Sequence, residues 1–170
     1  MKKLIAYLCF SLTTLMVNSQ GVFAVPTPTD TQKYQLMSFK WNISALNQIS
    51  FAKSIGKTAE DIGKFVGEQN RALWNKDAGF NGFVEGILNT FVALSPYGTV
   101  EIIEQTNNKV VLKVTQLYAE LKEKGTIYNI TYGEYLKFLE TIVSRLSEFM
   151  GSISSFKDTD SGLLITLQKQ

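Results

Sequence analysis

The chain is predicted to be all-α: a bundle of three main long helices carrying a short helical appendage. Three observations lead there. Apolar residues recur at spacings of three, four and seven through most of residues 31–156, the period of a helix with one buried face. Thr131-Tyr132-Gly133-Glu134 is a capping box, the signature of a helix start. The only cysteine is Cys9 and there is no histidine, so no disulfide or zinc staple is available to a loop-rich alternative.

Residues 1–24 read as a signal peptide. "MKK" is a basic start, "LIAYLCFSLTTLMV" an apolar run, and "NSQGVFA" places Val22 and Ala24 at the two recognition positions of a cut after Ala24. Ser11, Thr13 and Thr14 interrupt the run, which falls short of the roughly 20 apolar residues of a membrane span. An uncleaved anchor is the alternative. The chain is therefore expected to be exported, to the periplasm or cell surface of a Gram-negative bacterium.

Residues 25–30, "VPTPTD", form an extended segment, because Pro26 and Pro28 disfavour helix in the residues before them. Thr29 or Asp30 then caps a helix from Thr31 to Leu73. Its stripe contains Tyr34, Met37, Trp41, Ala45, Ala52, Ile55, Ala59, Ile62, Val66 and Leu73, and Leu36, Phe39, Ile43 and Leu46 widen it near the start. Gly56, Ala59, Gly63 and Gly67 share one side of this helix. Each interior glycine costs about 1 kcal/mol relative to alanine, so a neighbour packing closely on the small residues would offset the loss. The other reading is that Gly56 breaks the helix in two.

"NKDAGFNG" is a turn-rich break. The appendage helix follows, Phe80–Leu94, with Phe80, Phe83, Ile87 and Phe91 on its apolar face. That face suits the core, a partner's groove or a membrane surface. A third long helix is expected from Thr99 to Lys124, with Ile103, Val110, Val114, Leu117 and Leu121 in its stripe and Gly125 as its stop. The last helix opens at Thr131. Tyr135, Leu139, Ile142, Leu146, Phe149, Ile153 and Phe156 alternate four and three along it, a heptad seam. The helical bundle domain thus occupies residues 31–156, and residues 157–170 are a loose C-terminal tail.

Composition excludes several functions. Losing Lys2 and Lys3 with the leader reduces 17 basic residues to 15, equal to the 15 acidic ones. A neutral domain lacks the clustered basic face that nucleic acid demands. Without histidine the most common general base and metal ligand are gone. Glu60-Asp61, Glu101/Glu104 and Glu120/Glu123 lie among lysines in the manner of solvated helix faces. Asp158 and Asp160 lack the rest of a calcium loop. "SIGKT" at residues 54–58 ends like a phosphate-binding loop, but Phe51 stands where that loop needs its first glycine. No enzymatic activity, cofactor or metal is expected.

The layout resembles the minor pilin of type IV secretion systems, the pilus-tip subunit. The shared features are a cleaved leader, a short Pro-containing start ("VPTPTD"), a long first helix, a Gly-containing middle with short helices, and a long final helix. The resemblance implies a role in pilus assembly and in contact with a host or recipient cell, with other pilus or secretion-system subunits as partners. No Arg-Gly-Asp motif is present, since Arg71 precedes Ala72 and Arg145 precedes Leu146. Two rival readings remain beside it: a periplasmic helical binding or chaperone-like protein, and a small helical membrane-active protein.

Overall fold

The computed structural model describes residues 28–170, so the leader and the first half of the extended segment lie outside the described residues. Helix α1 spans Asp30–Ser54, α2 Ala59–Asn70 and α3 Gly79–Leu94. Strands β1, Val100–Gln105, and β2, Lys109–Val114, form a hairpin, followed by a short α4, Ala119–Lys124. The two-residue strands β3, Thr126–Ile127, and β4, Ile130–Thr131, lead into α5, Tyr132–Phe149. A final hairpin, β5 (Ser152–Thr159) and β6 (Gly162–Lys169), completes the chain. The fold is mixed helix and sheet, which corrects the all-α expectation.

The correction has two parts. Residues 99–124, expected as one helix, are the β1–β2 hairpin and α4. "VEIIEQTNNKVVLKV" is rich in β-branched residues, which are stiff in a helix and pack well on a pleated surface. Thr106 closes the turn by accepting from the Lys109 backbone N–H at 3.0 Å and the Asn108 N–H at 3.3 Å. The residues expected as a tail, 157–170, complete β5 and form β6. The heptad seam likewise stops before Ile153 and Phe156. Gly151, at φ 69°, ends α5, and the chain continues as a strand.

The four strands lie in the order β1-β2-β6-β5, every pair antiparallel. Val110, Leu112 and Val114 pair with Leu167, Ile165 and Leu163, and all six are buried. Alternation puts them on one face, where they join the core built by α3, α5 and the middle of α1. Phe91 of α3 meets Phe156 of β5 edge-on, with ring centroids 5.8 Å apart.

The Thr31–Leu73 helix is two helices. Gly56, at φ 73°, allows a Schellman closure: its N–H reaches the Lys53 carbonyl at 3.1 Å, and the Lys57 N–H reaches Ala52 at 2.8 Å. Thr58 then caps α2 in a capping box with Asp61. "SIGKT" is a stop signal followed directly by a start signal.

Gly63 and Gly67 lie against α5. A Cβ at Gly63 would be 2.8 Å from the Phe138 carbonyl oxygen and 2.9 Å from Thr141 Cβ, and one at Gly67 would be 2.7 Å from Arg145 Cβ. Both helices of the contact belong to the same chain. Gly63→Leu is expected to destabilise by about 1–3 kcal/mol through overpacking, outweighing a helix-propensity gain of under about 1 kcal/mol. A thermal melt at or above that of the wild type would contradict the close approach.

At the start of α5, Lys53 Nζ donates to Glu134 Oε1 and to the Asn129 carbonyl, each at 2.7 Å, tying the end of α1 to the β3–β4 turn. Partial burial raises the Glu134 carboxyl, but the hydrogen bonds from Lys53 and Thr131 outweigh it and hold the group below its usual range. A depressed carboxylate stabilises the fold above its unfolded pKa, and that contribution is lost as pH falls through its folded pKa.

Candidate functional site

A cavity of about 470 Å³ lies between α1, α2, α3 and α5. Trp41, Ala45 and Gln48 line it from α1; Val66, Asn70, Leu73 and Trp74 from α2 and the turn after it. Ile87, Thr90 and Phe91 of α3 and Tyr135, Leu139 and Leu146 of α5 close the remaining sides. Its floor is buried: Ile87 and Phe91 are 1% exposed and Tyr135 0%. Its rim is open: Trp41 is 63% and Leu73 83% exposed. Exposed aromatic and aliphatic side chains at the mouth of a buried apolar space suit a ligand that covers them.

Among the described residues, the lining carries no charged side chain. The one titratable group those residues place there is the Tyr135 phenol, which donates to Asn42 Oδ1 at 2.7 Å and joins α5 to α1 beside the floor. Burial, and then the neighbouring Tyr132 and Tyr118, push its pKa far up, so the phenol stays a neutral donor. Helix α1 is also held to α3 by the Tyr34 hydroxyl, which donates to the Val92 carbonyl.

Two other clefts among the described residues are charged. The groove between α2 and α5 is lined by Glu60, Lys64, Lys137, Arg145 and Glu148, all engaged in ion pairs. Such exposed pairs contribute little each. The cleft containing Lys57 and Thr58 sits at the N-terminus of α2. Asp61 already occupies that terminus, accepting from the Thr58 backbone N–H and hydroxyl at 2.9 Å each. A phosphate would have to displace it. Among the described residues there is no group of three or more His, Cys, Asp or Glu placed to hold a metal.

The residues singled out from sequence are dispersed. Gly56 is at the α1–α2 turn and Ala59 at the buried start of α2, while Gly63 and Gly67 sit under α5. Phe80, Phe83, Ile87 and Phe91 are all buried within the chain, so they form no external interaction face. Phe83 packs on Trp74 at 5.6 Å, and Ile87 and Phe91 reach the cavity from inside. The cavity itself was not foreseeable from the helical period alone. Trp41, Ala45, Val66 and Leu73 belong to one predicted stripe, but the break at Gly56 folds that stripe back so that its halves face the same space.

No protein-family model matches the chain, no curated protein matches it in sequence, and no solved structure matches it in fold. The site is the remaining guide to function.

Proposed function

We propose that the chain is a non-enzymatic binding protein, exported as its leader suggests, that holds an apolar small molecule between α1, α2, α3 and α5. The observation that carries this reading is the cavity: its size falls in the range of about 300–1,000 Å³ common to ligand sites, and its floor is apolar. The pilin resemblance implies a three-helix bundle, and the chain instead carries a four-stranded sheet. No helix among the described residues is long and apolar enough to cross a membrane.

Both tryptophans of the chain, Trp41 and Trp74, line the cavity, so their emission reports its occupancy. A neutral naphthylamine dye added to the full chain is expected to quench them saturably, at one dye per chain. Ala45→Phe fills the space from α1 and is expected to abolish the quenching while the variant still melts cooperatively. Undiminished binding by Ala45→Phe, or no saturable binding by the wild type, would defeat the proposal.

A further inference from the structure

The polar residues of the cavity are arranged by depth. Gln48 and Asn70 are half-buried and Asn89 and Thr90 exposed, whereas the fully buried lining is apolar apart from the Tyr135 phenol. Polarity is therefore concentrated towards the rim, and all of it is uncharged. An apolar chain would remove water from the floor, gaining about 25 cal/mol for each Å² of apolar surface covered. A charged head drawn to the rim would lose hydration, and no lysine or arginine among the described residues lines the cavity to compensate it. A neutral head loses less and finds donors and acceptors in the two half-buried amide side chains, Gln48 and Asn70.

Resting on the binding reading above, we infer that the ligand is a neutral single-chain amphiphile: an alkyl or acyl chain on the floor, with an uncharged hydroxyl, amide or ester head at Gln48 and Asn70. Carboxylates of the same chain length are discriminated against. The preference comes from the lining and not from a titrating group, because among the described residues the only titratable side chain there is the buried Tyr135.

The test compares 1-dodecanol with dodecanoate at neutral pH, below their aggregation limits, on the full chain, following Trp41 and Trp74 emission. The alcohol is expected to bind at least about tenfold more tightly, since the carboxylate must shed hydration at an uncharged rim. Asn70 makes no side-chain capping bond and lines the cavity, so Asn70→Lys adds a cation at the rim with little cost to the fold. It should raise dodecanoate affinity, while the alcohol, which loses the Asn70 amide and keeps Gln48, gains nothing, so most of that gap closes. If the naphthylamine dye binds but dodecanoate equals the alcohol, or neither chain binds, the inference alone falls. It falls as well if Asn70→Lys leaves the ratio untouched. If the dye also fails to bind, the cavity reading falls with it.

Discussion

Ile165→Ala is expected to destabilise the protein by about 2–5 kcal/mol, the range for removing a large aliphatic side chain from a packed core. Ile165 is fully buried in β6, between Leu112 of β2 and Phe156 of β5. Its loss would open a void at the centre of the sheet, where partners on both sides are held by their own backbone ladders. A domain with a typical stability of about 5–15 kcal/mol would survive with its melting temperature clearly lowered, or unfold in part. The same substitution in a loose tail would move stability by no more than about 0.5 kcal/mol. The melt therefore separates the two layouts of residues 157–170. Gln168→Ala, at an exposed position on the same strand, is the control and should melt like the wild type. An unchanged melt for Ile165→Ala would contradict the sheet.

Leu146→Ala is the second substitution with a large expected effect, again about 2–5 kcal/mol. Leu146 is 4% exposed on α5 and also forms part of the cavity wall. Truncation enlarges a space that already exists, so two outcomes are expected together. The melting temperature falls, and the preferred ligand chain becomes longer because the floor is deeper. Calorimetry of the free protein and a titration series of alcohols of increasing length measure the two effects separately. If α5 instead presented its seam to another subunit, the monomer would melt unchanged and only association would suffer. Tyr135, Leu139 and Leu146 are all buried within the single chain, which favours the first outcome.

Several features were legible because their causes are local. Thr131 and Glu134 satisfy each other's backbone N–H groups within three residues, so the start of α5 could be read directly. The helix Gly79–Leu94 follows from Phe80, Phe83, Ile87 and Phe91 at helical spacing, and all four are buried. The turn at Gly56 was one of two readings, and its geometry is a matter of six consecutive residues, Ala52 to Lys57.

What the sequence left undecided was settled by contacts distant along the chain. Val110 and Val114 are four apart, a spacing that suits one face of a helix and one face of a strand equally. The deciding partner is β6, some fifty residues later, whose Leu163, Ile165 and Leu167 pair with them. Period alone cannot weigh that pairing against a helix; the β-branched composition and the Asn107-Asn108 turn were the available local signals. The cavity is likewise a tertiary product. Sequence by itself determined an amphipathic stripe containing Trp41, Ala45, Val66 and Leu73, together with the absence of histidine. Only the fold decided that the stripe doubles back at Gly56, leaving α1 and α2 to face each other across a space that α3 and α5 close from beneath. The physical reason is that helical period constrains which residues share a face, whereas the direction of the chain after a left-handed glycine is set by what the two halves find to pack against.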